Sequence, residues 1–371
     1  MLLNRLMVIT LSAMLFLGYL LLPVGTTAKP LDQVIEGARK EGTVSAKLRV
    51  TIAPKSMKRL EREIKEKFGV DLKIICEPGT SMPKDAAVAI MEYKTGVTPS
   101  FDLMHFHSGH ILGTLQTAPG IFETVDWKSL FTEDTNPEVL AENATGPSYF
   151  SGGQGLLYNP TKISAAEVPK VLGDLSDPKW KGKVGIMGYT GSWARWAFVK
   201  GKDKIFSELR AILKNDALRG RYMDLFNRYM LGEIWMMVTK ANYIQMAQDK
   251  GLPAAFQSLD YLDVRETQLV IRKGAKHPNA ARLVAVYLAS PAGAKFMLEE
   301  GAAGTLFYPG NYEHDILSQT KKQGIPIIFT ERDMKILEFE ASKEVKQWEK
   351  EVKLIFDTGG GKIQTKKKKT K

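Results

Sequence analysis

Apolar and polar residues alternate along the chain in a pattern that predicts short strands separated by amphipathic helices. Residues 44–52 are strand-like, and the segment that begins at Pro54 places its apolar residues on one helical face. Residues 70–76 and 101–106 are further strand-like runs, with a helical pattern between them. This alternation is typical of a parallel sheet with crossover helices, in which ligands bind beyond the carboxyl ends of the strands.

The same alternation begins again in the second part of the chain. Further strand-like runs lie at residues 155–158, 183–187, 234–239 and 268–272. A clear helix is predicted at residues 278–288, and a final amphipathic helix carries apolar residues from Met334 to Ile355. This order predicts two α/β lobes, with the chain crossing between them near residues 148–156 and 262–270. The glycine-rich run at residues 152–155 is expected to give the first crossing the freedom of a hinge.

The N-terminus has the pattern of a secretory signal. Arg5 precedes an almost wholly apolar run at residues 6–22, Pro23 follows, and small residues lead to Ala28. We therefore expect a signal peptide at residues 1–28 and a periplasmic protein. An uncleaved anchor is the alternative, because about 20 apolar residues span a bilayer.

Charge and cysteine content narrow the function classes. The net charge of the 371 residues is +11, but the last fifteen residues hold six lysines and one aspartate. We expect this segment, residues 357–371, to be a disordered tail, and no recognition motif supports a nucleic-acid partner. Cys76 is the single cysteine, which excludes an intramolecular disulfide and a four-cysteine zinc site.

Few motifs in the sequence suggest catalysis. There is no P-loop, no G-x-S-x-G sequence and no nucleophile–base pair placed at strand ends, so neither an enzyme nor a bound cofactor is expected. His105, His107 and His110 cluster after a predicted strand and suit either a metal or hydrogen bonds to a ligand. Ser192 begins a helix and either binds an anion with the free amides or only caps the helix. Arg219 either clamps a carboxylate or phosphate or is an ordinary surface arginine.

Several runs resemble the extracellular solute-binding proteins of ABC importers, in particular the ferric-iron-type group. The similar runs are GLLYNPTK at residues 155–162, DLSDPKWKGKV at 174–184, KGAKHPNAA at 273–281 and LASPAG at 288–293. The resemblance covers roughly residues 31–356. It implies a two-lobed type II periplasmic-binding-protein fold with a hinge and an interlobe ligand cleft. Lobe 1 would comprise residues 29–148 and 271–356, and lobe 2 residues 149–270.

The resemblance also implies a function, which is to capture a small solute and deliver it to the permease subunits of an ABC transporter. The expected protein is a monomer that meets the membrane only through the permease or an uncleaved N-terminal segment. Ferric-binding members carry adjacent tyrosines, whereas the matching stretch here has only Tyr243. An anionic or oxygen-rich ligand is therefore expected, with iron(III) or another metal, or an exported enzyme on this fold, as alternatives. The residues placed on ligand loops are Ser56, His107, Ser108, Tyr149, Ser192, Arg219 and Tyr243.

Overall fold

The computed structural model describes residues 29–49, 54–79, 81–301 and 303–359. The predicted signal peptide at residues 1–28 and most of the lysine-rich tail lie outside these residues. Within the described part of the chain, no helix has both the length and the apolar content needed to cross a bilayer. The tail was predicted to begin at Asp357, but the last helix continues to Thr358.

Three strands and five helices form the first part of the chain. The strands are β1 (Thr43–Arg49), β2 (Lys73–Gly79) and β3 (Leu103–Phe106); the helices are α1 (Pro30–Glu41), α2 (Pro54–Phe68), α3 (Met82–Thr95), α4 (Ser108–Thr117) and α5 (Trp127–Leu130). The strand β1 pairs in parallel with both β2 and β3, as the alternation of strands and helices predicts. The helix α2 buries Met57, Leu60 and Ile64, because residues three or four positions apart share a helical face.

Two long strands in the middle of the sheet carry the chain between the two parts. They are β4 (Ser148–Tyr158) and β9 (Leu262–Ile271), which pair antiparallel. The sequence placed its two lobe crossings in these segments, and that assignment stays a prediction. The glycines predicted to loosen the first crossing lie inside β4, and none of them has a positive φ. Their role is to let neighbouring groups pack closely against β4. A Cβ on Gly153 would lie 2.7 Å from the Leu262 side chain, and one on Gly155 would lie 2.7 Å from the Gln257 carbonyl oxygen.

Three further strands and four helices follow between the crossings, together with a short strand. They are β5 (Val184–Met187), α6 (Thr190–Lys200), α7 (Lys202–Lys214), β6 (Leu218–Gly220), α8 (Tyr222–Met230), β7 (Met236–Lys240), α9 (Asn242–Gln248) and β8 (Ala255–Gln257). The sheet order is β2-β1-β3-β9-β4-β7-β5-β6, with β8 paired to β4. Trp193 and Trp196 of α6 are fully buried, and they pack in one hydrophobic cluster with strands β5 and β7.

The helices of the C-terminal part pack against both the first and the middle parts of the chain. It contains α10 (Pro278–Ala289), α11 (Pro291–Gly301), α12 (Tyr312–Lys322), β10 (Ile327–Phe329), α13 (Met334–Ala341) and α14 (Lys343–Thr358). The helix α10 packs on α1, but α14 packs on α6 and α7. Residues 343–356 were assigned to lobe 1 by the sequence; in the structure Val352, Ile355 and Phe356 pack in the same hydrophobic cluster as Trp193 and Trp196 of α6. The lobe boundaries stay a prediction.

The single C-terminal helix predicted from Met334 to Ile355 is two helices. Its apolar spacing continues without a change of phase, but the chain breaks at Ser342. The Ser342 side chain accepts a hydrogen bond from the Val345 amide and caps α14. The break turns α13 away from α14, so that α13 packs on both α4 and α6.

Candidate functional site

A cleft of about 600 Å³ opens where several strands end. The carboxyl ends of β3, β5 and β7 lead into it, as expected for ligand sites in α/β sheets. The crossing strand β9 and the helices α13 and α14 complete its walls. Its lining residues are His107, Gly109, His110, Gln154, Tyr189, Gly191, Ser192, Arg195, Tyr222, Lys240, Arg265, Glu340, Val345 and Glu349. This cleft has the size and position of a small-molecule site.

Lys240, the last residue of β7, lines this cleft with its ammonium group. No carboxylate of the described residues lies within ion-pair distance of it, and its Nζ atom lies 5.9 Å from the ring centroid of Tyr222. Burial, followed by repulsion from Arg49, Arg265 and Arg195, lowers the pKa of Lys240 from 10.5 to about 8. The group is still mostly charged at pH 7, so the cleft holds a cation that the protein itself does not neutralise.

Two arginines flank Lys240, and both are paired. Arg195 lies 2.8 Å from Asp263 and 3.0 Å from Glu340. Arg265 lies 2.8 Å from the same oxygen of Glu340. Burial acts to raise the pKa of Asp263, but the two arginines outweigh it and the pKa lies below its usual 3.8. These residues form a cluster in which carboxylates balance the guanidinium charges.

Two further buried acids lie beside the cations. Burial raises the pKa of Glu313 to about 8, although its carboxylate accepts a hydrogen bond from the Gly153 amide at 2.8 Å. Burial also raises the pKa of Glu331 to about 7, against the lowering effect of Arg265. Burial therefore favours the uncharged form of Glu313, and this carboxyl forms no ion pair with the ammonium group of Lys240.

The histidines of the cleft are neutral hydrogen-bonding groups. Burial, followed by repulsion from Arg265 and Lys240, lowers the pKa of His107 well below 6.5. The Nδ1 atom of His107 lies 2.6 Å from the Glu266 carbonyl oxygen. Because a carbonyl oxygen only accepts, Nδ1 carries the proton and Nε2 is left as an acceptor. His107 can therefore receive a hydrogen bond from a ligand hydroxyl or amine.

Two tyrosines form an aromatic wall. The ring centroids of Tyr189 and Tyr222 are 4.9 Å apart, and both rings line the cleft. The side-chain amide of Gln154 donates a hydrogen bond to the Tyr222 hydroxyl at 2.6 Å. Burial raises the pKa of Tyr222 above its usual 10, so the phenol stays protonated. This wall suits the carbon skeleton of a small solute.

Of the seven residues that the sequence placed on ligand loops, His107 and Ser192 line the cleft. Their role in binding stays a prediction. Tyr149 is buried and its hydroxyl lies 2.6 Å from His105 Nδ1. Burial lowers the pKa of His105 to about 4. The histidine cluster is thus divided, with His107 and His110 in the cleft and His105 in the core. No group of three metal-binding side chains occurs in the described part of the chain.

The other four predicted residues do not line the cleft and contact other protein groups. The Ser56 hydroxyl donates to Glu300 at 2.5 Å, and the Ser108 hydroxyl accepts from the Gln268 side chain at 2.6 Å. Arg219 lies over the ring of Phe356, 4.8 Å from its centroid. Tyr243 is buried beside Phe226 and Tyr222, and burial raises its pKa to about 12. The structure does not bring these four side chains together.

The sequence reasoning did not single out Arg195, Lys240, Arg265 or Glu340 as site residues. Arg195 and Lys240 had a visible signal, which is a charged residue within or at the end of an apolar run, whereas the charges around Arg265 mask its strand. Arg195 interrupts the tryptophan-rich helix, Lys240 ends the strand MMVTK, and Arg265 lies within LDVRETQLVI. Burying a charge is costly unless it is paired with another group or binds a ligand, so a charged residue in such a run indicates a candidate site.

Comparisons with known proteins agree with this architecture. Iron-bound HitA from Pseudomonas aeruginosa is 20% identical, with a TM-score of 0.61 over 84% of this chain and 99% of that one. Trichodesmium IdiA (FutA), in complex with iron and citrate, is 15% identical with a TM-score of 0.62, over 86% and 100% of the two chains. AfuA from Actinobacillus pleuropneumoniae, with fructose-6-phosphate bound, is 16% identical with a TM-score of 0.57, over 85% and 98%. These likenesses establish the two-lobed fold.

The comparison with curated proteins finds no match. The family comparison is decisive, because residues 115–314, more than half of the chain, match a family of bacterial extracellular solute-binding proteins. The predicted resemblance and fold class are confirmed. The chain belongs to the bacterial extracellular solute-binding protein family.

Proposed function

We propose that this protein captures a small organic anion in the cleft and delivers it, chemically unchanged, to the permease of an ABC importer. The observation that carries the proposal is the ammonium group of Lys240, which faces the cleft without an ion-pair partner among the described residues. A ligand carboxylate or phosphate supplies that partner, and charge-assisted hydrogen bonds of this kind are the stronger ones.

The rest of the cleft complements the carbon skeleton and hydroxyl groups of such a solute. Tyr189 and Tyr222 offer an aromatic wall, and His107 offers a hydrogen-bond acceptor. Ser192 adds a hydroxyl at the first turn of α6, where helix amides favour negative charge. These groups bind and orient a ligand, and no described nucleophile–base pair among them supports turnover.

The cation-rich centre favours an organic anion over a free iron(III) ion. The ammonium group of Lys240, which has no ion pair among the described residues, repels a bare cation, whereas an iron–citrate complex arrives as an anion. Two of the similar structures were solved with iron, one of them also with citrate, and a third with a sugar phosphate. The candidate ligands are therefore carboxylates, phosphate esters and anionic metal chelates.

A thermal-shift screen of the purified, dialysed protein tests this proposal. The panel contains citrate, iron(III) citrate, zinc chloride, methylphosphonate, inorganic phosphate and fructose 6-phosphate. A ligand at about 100 times its dissociation constant adds about 2.7 kcal/mol to the stability. We expect a shift with organic anions and none with zinc. A shift with zinc chloride, or no shift with any anion of the panel, would overturn the anion assignment, and unchanged ligand on recovery would exclude turnover.

The matched control compares two lysines of the second lobe. Lys250→Met removes an exposed charge outside the cleft and should leave every shift intact. Lys240→Met should remove the shift with anions. Equal loss in both variants would mean that binding depends only on the overall charge of the protein.

A further inference from the structure

The arginines of the cleft are already occupied by an internal carboxylate. One oxygen of Glu340 accepts hydrogen bonds from Arg195 at 3.0 Å and from Arg265 at 2.8 Å. Each arginine also has a second carboxylate, Asp263 at 2.8 Å and Glu331 at 2.6 Å respectively. Two guanidinium groups that converge on one oxygen resemble a binding site for a ligand anion, but a side chain of the protein fills it.

Glu340 is held firmly in this position. The preceding residue, Phe339, is buried and stacks on Phe198, with ring centroids 4.4 Å apart and planes inclined by 14°. Phe339 also meets the ring of Trp348 edge-on at 5.0 Å. On the other side of the cleft, α4 has a glycine at position 109, where a Cβ would lie 2.9 Å from the Glu340 carboxylate. The carboxylate is therefore a fixed part of the wall, packed against both lobes.

A second carboxylate of the same C-terminal segment lines the cleft. Glu349 of α14 is half-buried and has no hydrogen bond or ion pair with the described residues. Its Oε1 atom approaches α6 so closely that a Cβ on Gly191 would lie 2.8 Å away. The C-terminal helices thus bring two negative charges to the cleft, while Lys240 is the lining cation that the described carboxylates leave unpaired.

We infer that Glu340, with Glu349 beside it, lowers the affinity of the cleft for ligands with two or three negative charges relative to ligands with a single one. One anionic group pairs with Lys240. A second or third charge on the ligand finds Arg195 and Arg265 already paired with Glu340, and it is repelled by the unpaired carboxylate of Glu349. At a separation of about 4 Å and an effective dielectric constant of 20, two like charges repel strongly enough to change affinity by far more than tenfold. The inference rests on the proposed function, since it concerns which anions this cleft accepts.

The experiment measures how affinity depends on ligand charge in four proteins. Isothermal titration calorimetry at pH 7 uses butyrate, succinate and tricarballylate, with one, two and three carboxylates, and then dimethyl phosphate and methyl phosphate. The proteins are the wild type, Glu340→Gln, Glu349→Gln and the control Glu338→Gln. Glu338 lies on the same helix as Glu340 but is exposed and does not line the cleft.

Glu340→Gln should strengthen binding of the doubly and triply charged ligands by at least about tenfold relative to butyrate, because it removes one negative charge from the wall. Glu349→Gln, which breaks no ion pair of the described residues, should act in the same direction and tests the inference even if Glu340→Gln does not fold. Glu338→Gln should match the wild type.

An equal gain for all ligands, or no gain in either cleft variant, would overturn the inference while leaving the proposed function intact. Strong binding of tricarballylate by the wild type with no further gain in Glu340→Gln would also overturn it. If no protein binds a member of either series, the proposed function fails and the inference falls with it.

Discussion

Replacing Lys240 with methionine should weaken ligand binding and strengthen the fold at the same time. The substitution keeps an unbranched, flexible side chain of similar length at the end of β7 and removes only the charge. The pKa of Lys240 is lowered from 10.5 to about 8, and each pKa unit corresponds to about 1.4 kcal/mol. Keeping this ammonium group charged at neutral pH therefore costs the empty protein roughly 3 kcal/mol of folding free energy.

The sign of the pH dependence follows from the same pKa. Between about pH 8 and pH 10.5 the unfolded chain holds a proton on Lys240 that the folded protein has lost, so the stability contributed by this group rises with pH. Below pH 8 the full cost is present. Lys240→Met should therefore be more stable than the wild type by up to about 3 kcal/mol at pH 7, and this advantage should shrink as the pH rises toward 10.

Urea denaturation at pH 7 and at pH 9.5 measures the stability difference, and calorimetry with the anion found in the screen measures binding. Loss of one charge-assisted hydrogen bond should weaken binding by roughly 10- to 150-fold. Lys250→Met is the control for a general effect of charge. A Lys240→Met protein that is less stable at pH 7, or whose advantage does not change with pH, would contradict the reasoning, because the ammonium group would then be stabilising the fold.

Three further predictions concern the cleft and the crossing strands. Anion affinity of the wild type should fall as the pH rises through about 8, because Lys240 loses its proton there, and calorimetry between pH 7 and 9.5 measures this. Asp263→Asn should cost about 3–5 kcal/mol in urea denaturation, because the buried guanidinium of Arg195 loses its closest counter-charge; a loss below 1 kcal/mol would contradict this. Gly146→Ala should lower the free energy of unfolding by several kcal/mol, because its Cβ would lie 1.7 Å from a backbone carbonyl oxygen of β9. As the matched control, a Cβ at Gly113 in α4 meets nothing within 4 Å, so Gly113→Ala should raise the free energy of unfolding by up to about 1 kcal/mol.

Most of the helices and strands could be predicted because their signal is local. The helix α9 has the predicted bounds, Asn242–Gln248, and β1, β2 and β3 lie where apolar runs indicate strands. The strand β9 was predicted only at residues 268–272 but begins at Leu262. Its first half contains Asp263, Arg265 and Glu266, whose charges hide the strand pattern. These three side chains are nevertheless paired with other charged groups in the structure.

The candidate site could be located only in part, because its members are distant in sequence. Arg195 and Glu340 form a hydrogen bond across 145 residues of chain, and nothing in the spacing of either residue indicates the other. Position at the end of a strand correctly indicated that the segments with His107 and Ser192 line the cleft. It could not show that Tyr149 and Tyr243 turn into hydrophobic clusters, since side-chain direction at a strand end depends on tertiary packing.

The unpaired charge in the cleft is explained by ligand binding and not by the stability of the fold. Asp263 and Glu340 neutralise Arg195, as expected when folding free energy decides which charges are buried. Lys240 departs from this rule, because it keeps a charge that lowers stability and has no described carboxylate within ion-pair distance. An anionic ligand removes this cost when it binds, so part of the binding free energy is stored in the empty protein. The same ammonium group therefore explains both a less stable empty state and affinity for an anion, which is why a single substitution should move the two in opposite directions.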